Sequence, residues 1–292
     1  MLELKGKTVF ITGGAEGIGY HIGRRLAHAG MNIMLSDIDT TVLDKAVKTL
    51  KKEGFNAEGV KCDVSIPEDL ESAAQKTIDT FGKVHMLINN AGVGASGPQQ
   101  RIKENDWRWM IDVNLMGVVT GTQVFVPLIQ SHGEGGWLIN VASMAGFKGE
   151  SFAGPYSATK AAVVSLSETW RSELGPSGIN VSVLCPGYVK SRIYDSMRNR
   201  QECYGGPVHF EQILRKNPKL SILKEPVVTG IDTEIVGHRV LEALANDEFY
   251  IFTHPEIRDL VNMQFNNITE GFDQADASPV LDTVLPKESP NT

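Results

Sequence analysis

A tyrosine and a lysine stand four residues apart, at Tyr156 and Lys160, in a segment with helical periodicity. This spacing places both side chains on one face of a helix, so the ammonium can lie beside the phenol and favour its ionised form. A free tyrosine has a pKa near ~10 and needs such help to exchange protons near neutrality. Ser143 ends an apolar strand, where its hydroxyl would project from the carboxyl edge of the sheet. Together these residues predict proton transfer at a substrate oxygen.

A glycine-rich loop, TGGAEGIG at residues 12–19, follows the first predicted strand. Gly13, Gly17 and Gly19 would let the backbone turn sharply and approach a pyrophosphate, while the next helix supplies amide donors and its positive dipole end. An ordinary strand-to-helix turn is the alternative interpretation. The position directly after the first strand favours a dinucleotide site.

Asp37 closes the second predicted strand, 18 residues past the glycine loop. A carboxylate there can accept hydrogen bonds from both hydroxyls of an adenosine ribose and would repel a 2′-phosphate. Glu16 adds negative charge, and neither Ala15 nor Ile38 supplies the cation that a 2′-phosphate needs. These residues predict NAD rather than NADP. Asp37 could instead cap the following helix, although Asp39 is the better candidate for that role.

Apolar runs of strand length alternate with segments of helical length along the chain. This alternation predicts an α/β fold with a doubly wound parallel sheet and right-handed crossovers, the elements that must position the residues above. The predicted strands lie at residues 8–12, 32–36, 57–61, 86–89, 136–141, 180–184 and 248–253. The predicted helices lie at residues 19–29, 40–53, 67–81, 105–130, 156–174 and 232–245.

The alternation of predicted strands and helices is interrupted in the last third of the chain. Residues 186–229 carry scattered charge, glycine and proline before a last helix and strand, as in a lid over a site. We therefore predict one catalytic domain over residues 1–274, with a lid insertion at about 190–230. Residues 275–292 are polar and are expected to form a flexible or partner-docked tail.

The overall composition excludes several classes of protein. Among 292 residues, 35 acidic and 28 basic side chains give a formal net charge of −7, which argues against nucleic acid and anionic membranes as partners. The apolar stretch at 113–133 is interrupted by polar residues and proline, so we expect a buried helix. Three cysteines without CxxC spacing and seven histidines without an HExxH pattern predict reduced thiols and no metal. The N-terminus lacks a signal-peptide pattern, and we expect a cytoplasmic protein.

Four motifs, in order and with their spacing, resemble the short-chain dehydrogenase/reductase family over about residues 5–255. They are TGGAEGIG, the NNAG turn at 89–92, Ser143 with YSATK at 156–160, and the Pro-Gly pair at 186–187; Asn114 also fits. The resemblance implies an extended Rossmann sheet of about seven strands. It also implies hydride transfer between nicotinamide and a hydroxyl or carbonyl carbon.

The same resemblance implies a role for each catalytic residue. Tyr156 would be the general acid/base, and Ser143 would hydrogen-bond the substrate oxygen. Lys160 would lower the pKa of Tyr156 and hold the nicotinamide ribose, while Asn114 would bind a water that links Lys160 to solvent. Val189 would hold the nicotinamide carboxamide through its backbone.

The predicted cofactor site combines the residues singled out by the sequence pattern with those implied by the family resemblance. Asp63 could reach the adenine amino group, although an acidic turn residue would look the same. Ser191 stands where the family commonly has threonine and can make the same contact. The full predicted set is Gly13, Glu16, Gly17, Ile18, Gly19, Asp37, Asp63, Val64, Asn90, Gly92, Tyr156, Lys160, Pro186, Gly187, Val189 and Ser191.

The predicted substrate lining is mostly apolar or aromatic, which suits a bulky secondary alcohol or ketone, although these side chains could equally bury one another. Lys190 and Arg192 could contact a carboxylate but are taken as solvated lid charges. The 190–193 stretch, the insertion and the FTH sequence at 252–254 are similar to bacterial dehydrogenases of lignin-derived aryl ethers. The predicted lining residues are Val93, Met144, Phe147, Phe152, Tyr188, Ile193, Tyr194 and Met197.

Two apolar helical segments, 113–129 and the helix after Tyr156, are hydrophobic around more than one face, which is typical of intersubunit contacts. By resemblance, a homodimer or homotetramer is expected. A catalytically silent dinucleotide sensor and an NADP-dependent carbonyl reductase are the alternatives. The intact set of Tyr156, Lys160, Ser143 and Asn114 argues against the sensor.

Overall fold

The computed structural model describes residues 3–216 and 224–281. These residues form a seven-stranded sheet in the order β3-β2-β1-β4-β5-β6-β7, and every pairing is parallel. The doubly wound α/β fold is therefore confirmed. The strands are β1 (Thr8–Thr12), β2 (Asn32–Asp37), β3 (Ala57–Lys61), β4 (Met86–Asn89), β5 (Gly136–Val141), β6 (Ile179–Cys185) and β7 (Tyr250–Phe252).

Helices cover both faces of this sheet. The larger ones are α1 (Gly17–His28), α2 (Thr40–Lys52), α3 (Pro67–Phe81), α4 (Glu104–Ile111), α5 (Gly117–Ser131), α6 (Gly154–Leu174) and α9 (Thr233–Ala245). Shorter helices, α7 (Phe210–Lys216) and α8 (Glu225–Thr229), lie in the insertion. Every predicted strand and helix is present, with bounds that differ by a few residues.

Alternating side chains of β1 divide the core into two layers. Val9 and Ile11 pack with residues of α1, α2 and α9, whereas Phe10 packs with residues of α3, α4 and α5. The Phe10 ring stacks on that of Phe125, with centroids 4.3 Å apart. Burial of one such ring stabilises the fold by about 1.5–3 kcal/mol. These layers hold the carboxyl ends of the strands at fixed positions.

The strand order reverses between β1 and β4. From β1 the chain proceeds outward through β2 to β3, whereas β4 starts the other half on its opposite side. In open parallel sheets, ligands bind outside the carboxyl ends of the strands at such a switch point. The glycine loop after β1 and the NNAG turn after β4 therefore meet in this crevice.

The predicted helix at 105–130 is broken by one π-helical turn, Asp112–Met116, which joins α4 to α5. Single π turns are frequent at functional sites, and this one contains Asn114. The segment Glu104–Ser131 is long and apolar enough to cross a membrane, with a mean hydropathy of 1.3. Core helices of soluble proteins pass the same test, and Trp109, Phe125 and Ile129 are buried in the second layer.

The chain divides into two compact units, residues 1–253 and 254–292. In the first unit the insertion contains 3₁₀ turns at Ile193–Asn199 and Glu202–Tyr204, besides α7 and α8; residues 217–223 of the predicted lid lie outside the described residues. The second unit contains α10 (Arg258–Asp276). The expected domain boundary at residue 274 falls inside α10, because the helical spacing of its apolar residues is diluted by polar ones. Most of the predicted tail lies outside the described residues.

Candidate active site

The glycine loop has the backbone that a dinucleotide site requires. Gly13 and Gly17 adopt φ values of +57° and +61°, which side chains disfavour. A Cβ at Gly19 would lie 2.5 Å from Nδ2 of Asn90. That amide donates to the carbonyls of Thr12 and Gly13 at 2.9 and 2.7 Å. The loop is therefore a cradle of bare backbone at the start of α1, and it fits a pyrophosphate.

Asp37 lies at the carboxyl end of β2, beside this loop. Its carboxylate accepts from the backbone N–H of Ala15 at 3.2 Å and of Asp39 at 3.1 Å. Burial raises the pKa of Asp37, and these two hydrogen bonds oppose the rise. Asp39, and not Asp37, caps α2, since its side chain accepts from the first turn of that helix. Asp37 therefore has the place predicted for a ribose-binding carboxylate.

Glu16 differs from the sequence-based interpretation. Its carboxylate pairs with Arg198 and, at 3.2 Å, with Arg192, both from the insertion. The negative charge at the loop is therefore balanced, and Arg192 is a lid charge that is 47% exposed and also has a carboxylate partner. Lys190 likewise pairs with Asp232 at 2.9 Å. The sequence pattern could not reveal these pairs because the partners are far apart along the chain.

Asp63 is buried at the carboxyl end of β3, on the adenine side of the crevice. One oxygen accepts from the backbone N–H and hydroxyl of Ser65, at 3.0 and 2.7 Å. The other accepts from Nε2 of Gln201 at 2.5 Å. Gln201, in the insertion, was missed by sequence reasoning because no motif marks it. The adjacent Val64 is buried and packs where Gly117 leaves room.

Tyr156, Ser143 and Lys160 meet at the carboxyl end of β5. Ser143 hydrogen-bonds Tyr156 and also accepts from the N–H of Ala145 at 3.1 Å. The Lys160 ammonium lies 5.7 Å from the centroid of the Tyr156 ring and donates to the carbonyl of Val141 at 2.8 Å. The three side chains predicted to do the chemistry are thus brought together.

Burial dominates the ionisation of this group. It raises the pKa of Tyr156 to about 12, with the Ser143 hydrogen bond opposing the rise. It lowers the pKa of Lys160 to about 8. The expected lowering of the Tyr156 pKa by Lys160 is not seen in this structure: desolvation raises this pKa, and Lys160 is not among the groups that shift it. Glu150, which sequence reasoning missed, further raises the pKa of Tyr156.

Asn114 is fully buried in the π turn and clamps the chain after the NNAG turn. Its oxygen accepts from the N–H of Val93 at 2.8 Å, and its amide donates to the Val93 carbonyl at 2.9 Å. A Cβ at Gly92 would lie 3.4 Å from the Lys160 ammonium and 3.6 Å from this oxygen. Asn114 therefore positions the wall beside Lys160, and its role in a water relay stays a prediction.

The Pro-Gly turn after β6 closes the nicotinamide side. Val189 forms a parallel bridge with Ile231. The Ile231 N–H donates to the Tyr188 carbonyl and the Ile231 carbonyl accepts from the Lys190 N–H, so the N–H and carbonyl of Val189 are directed to the opposite side. Ser191 approaches the glycine loop, since a Cβ at Gly17 would lie 3.6 Å from Cβ of Ser191. Both positions fit the roles predicted for them.

Three members of the predicted cofactor set remain to be placed: Pro186, Gly187 and Ile18. The carbonyl of Pro186 accepts from the N–H of Met144 at 2.9 Å, which ties the turn after β6 to the end of β5. Gly187 follows in the same turn. Ile18 is partly buried and packs against the first core layer from α1, so its side chain secures the loop rather than facing the crevice.

The predicted substrate lining divides into two groups. Val93 and Met197, like Tyr156, are partly buried against the second core layer, and Met144 follows Ser143 in the chain. The other side chains lie farther out. Phe147 packs against the aromatic side chains of β7, and Tyr194 meets Phe210 edge to face. Phe152 and Tyr188 are 60% and 48% exposed, and Ile193 begins a 3₁₀ turn.

One group of possible metal ligands lies at the opposite edge of the sheet, in His85, His132 and Glu134. His85 Nδ1 accepts from the backbone N–H of Thr8 at 3.1 Å, which requires the proton to be on Nε2, facing Glu134 at 3.1 Å. Glu134 also pairs with Lys83. A cation would have to displace these hydrogen bonds, so the group is explained as an internal polar network.

The whole chain is similar to known dehydrogenases. A family model described as short chain dehydrogenase matches residues 7–202. A C alpha-dehydrogenase from a Sphingobium species is 32% identical over 290 residues, which cover 99% of this chain and 90% of the relative. The chain therefore belongs to the short-chain dehydrogenase/reductase family.

Solved structures agree with this assignment. A short-chain dehydrogenase/reductase from Burkholderia phymatum in complex with NAD has a TM-score of 0.86 and 36% identity, covering 93% of this chain and 97% of that one. The apo form of LigO from Sphingobium has a TM-score of 0.80 and 27% identity, with both chains covered completely. The resemblance drawn from the motifs is confirmed, and the chain is an oxidoreductase of alcohols or carbonyls that uses a nicotinamide dinucleotide.

Proposed function

We propose that this protein is an NAD-dependent dehydrogenase of bulky, aryl-substituted secondary alcohols and their ketones. The observation that carries the proposal is the cluster of Tyr156, Ser143 and Lys160 in the same crevice as a glycine loop and Asp37. The apolar side chains that share the second core layer with Tyr156 and the similarity to a C alpha-dehydrogenase support a bulky substrate.

Each residue of the cluster has one task in the reaction. The nicotinamide, when bound, supplies or accepts the hydride. Tyr156 takes the proton of the substrate hydroxyl during oxidation and returns it during reduction. Ser143, already hydrogen-bonded to Tyr156, donates to the same substrate oxygen as negative charge develops. Lys160 adds positive charge on the side of Gly92, where the nicotinamide ribose would lie.

The choice of NAD is supported by Asp37 and by the absence of a free cation beside it among the described residues. The two arginines nearest the loop are already paired with Glu16. A 2′-phosphate would therefore meet the Asp37 carboxylate without a balancing charge.

Turnover of NAD and NADP should be measured separately against aryl and alicyclic secondary alcohols and the matching ketones. Tyr156→Phe is expected to lower kcat about 10²–10⁴-fold with unchanged NAD binding, because only the proton transfer is lost. Tyr20→Phe, in the first turn of α1 and partly buried against the first core layer, is the matched control and should retain activity. Tight NAD binding with no turnover of any substrate would indicate a sensor instead.

A further inference from the structure

One segment of the insertion crosses the crevice between the glycine loop and β3. We call residues 198–204 the strap. It is held by carboxylates from four different parts of the fold, which fixes it over the crevice. The contacts are Arg198 with Glu16, Arg200 with Asp106, Gln201 with Asp63, and Tyr204 with Asp112.

The sheet order shows what lies beneath the strap. Glu16 immediately precedes α1, beside the phosphate cradle, and Asp63 follows β3. β2, which ends in Asp37, lies between β1 and β3. A segment that contacts both Glu16 and Asp63 therefore passes over the end of β2, where an adenosine ribose would bind.

Two polar atoms of the strap are buried without a hydrogen-bond partner among the described residues: Nε of Arg198 and Oε1 of Gln201. The Arg198 side chain is only 9% exposed. Buried polar atoms are rarely left unpaired in native proteins, so each needs a partner that the described part of the chain does not supply. One atom is a donor near the phosphate cradle, and the other is an acceptor near Asp63.

The orientation of the Gln201 amide is fixed by its neighbours. A carboxylate can only accept, so the atom facing Asp63 at 2.5 Å must be Nε2, which also lies 3.2 Å from the hydroxyl of Ser65. The unpaired atom is therefore the carbonyl oxygen. This oxygen can accept a hydrogen bond, and an amino group of a ligand is one donor that suits it.

We propose that Arg198 and Gln201 bind the ADP half of the dinucleotide, with Nε of Arg198 donating to a phosphate oxygen and Oε1 of Gln201 accepting from the adenine amino group. The unpaired donor lies near Glu16, where the phosphates would bind, and the unpaired acceptor lies near Asp63, where the adenine would bind. The proposal rests on the proposed function only in that the chain binds a dinucleotide. It makes the strap a determinant of adenine recognition.

The adenine contact is tested with NAD and with its hypoxanthine analogue, in which a carbonyl replaces the amino group. Dissociation constants are measured by calorimetry for wild type and Gln201→Met. The preference of wild type for NAD should fall about fivefold to tenfold in the variant, as expected for one lost hydrogen bond. Cys203→Ser, an exposed change in the same strap, should keep the wild-type preference.

The other outcomes separate the two proposals. An equal loss of affinity for both dinucleotides in Gln201→Met, or no loss at all, would show that Gln201 does not contact adenine. If Gln201→Met does not fold, Gln201→Asn, which withdraws the amide by one methylene, is measured in the same way. Wild type that binds neither dinucleotide would contradict the proposed function itself.

The phosphate contact needs a variant that removes the effect of Glu16. In a Glu16→Gln background, Arg198 no longer serves as a counter-ion. Arg198→Met in that background should still weaken NAD about tenfold and the hypoxanthine analogue equally, as for a hydrogen bond to a charged group. If Arg198→Met leaves both affinities unchanged in the Glu16→Gln background, Arg198 serves only as the counter-ion of Glu16.

Discussion

Lys160, which the proposed reaction uses, is buried at a cost to the fold. Lys160 is 3% exposed and has one hydrogen bond, to a backbone carbonyl, and no carboxylate among the described residues pairs with it. Its folded pKa, about 8, is below the usual value of 10.5. The unfolded chain therefore binds more protons between these values, and the free energy of unfolding should rise with pH across this interval.

Lys160→Met tests this cost directly. Below pH 8 the variant should gain about 1–3 kcal/mol of unfolding free energy relative to wild type, because it no longer buries a charge. The difference should shrink as pH rises to 10.5 and wild-type Lys160 becomes neutral in both states. Urea unfolding at several pH values measures it. Lys48→Met, on the exposed side of α2, should show no such trend, and a trend shared by both variants would contradict the explanation.

The two carboxylates after β2 allow a matched test of cofactor choice. Asp37→Ser should weaken NAD by about 10–100-fold, because hydrogen bonds to a charged group are lost, and should weaken NADP much less. Asp39→Ser removes a helix cap instead and should lower stability by about 0.5–2 kcal/mol without changing the NADP-to-NAD ratio. The ratio of kcat/KM values for NADP and NAD measures cofactor choice in both variants, and urea unfolding measures the stability of Asp39→Ser. An unchanged ratio in Asp37→Ser would remove the basis for NAD preference.

At the scale of elements, a polar network joins β4 to α5 and β5. Asn89 donates to Asn140 at 2.9 Å and to Thr122 at 3.2 Å. Asn140 in turn donates to Ser167 of α6 at 3.0 Å. The strand that carries the NNAG turn is thereby tied to the helix that carries Tyr156. The network depends on Gly121, since a Cβ there would lie 2.5 Å from Oδ1 of Asn89.

Gly121→Ala is therefore expected to lower the free energy of unfolding by about 1–3 kcal/mol, as overpacking of a buried contact does. Thermal or urea unfolding measures it. Gly175→Ala is the control, because a Cβ at that helix end meets nothing within 4 Å. In an Asn89→Ala background the Gly121 substitution should cost much less. If Gly121→Ala lowers the free energy of unfolding equally in both backgrounds, the contact with Asn89 is not the cause of the loss.

Most of the strands and helices could be predicted because they depend on local sequence patterns. The strands are recognisable as apolar runs, and the glycine loop and the YSATK segment are recognisable by their sequence motifs. The π turn at Asn114 could not be predicted, since helical periodicity passes through it unchanged. The pairs Arg198–Glu16 and Gln201–Asp63 join residues more than a hundred positions apart, and such contacts follow from the fold rather than from a motif.

At the scale of the whole molecule, two helices present surfaces suited to a second copy. Ile111 and Met116, at the junction of α4 and α5, are 36% and 44% exposed, and α6 exposes the small residues Ala161 and Ser165. Small exposed residues allow close helix approach, and apolar ones favour burial. These surfaces fit the predicted homodimer or homotetramer.

Sedimentation should therefore show a dimer or tetramer at micromolar concentration. Ser165→Arg is expected to shift the protein toward smaller species, because a long charged side chain would separate the helices. Ser72→Arg, on the exposed side of α3, is the control and should leave the assembly unchanged. A monomeric wild type, or dissociation caused equally by both substitutions, would contradict this arrangement.

The strap also bears on the order of events in each catalytic cycle. Because its attachments lie on separate elements, several of them must open together before a dinucleotide beneath it can leave. In the proposed reaction the alcohol and ketone would enter beside Tyr156, away from these attachments, and need not disturb them. The first turnover would then be faster than those that follow, and a rapid-mixing trace of cofactor absorbance would begin with a burst equal to the number of occupied sites.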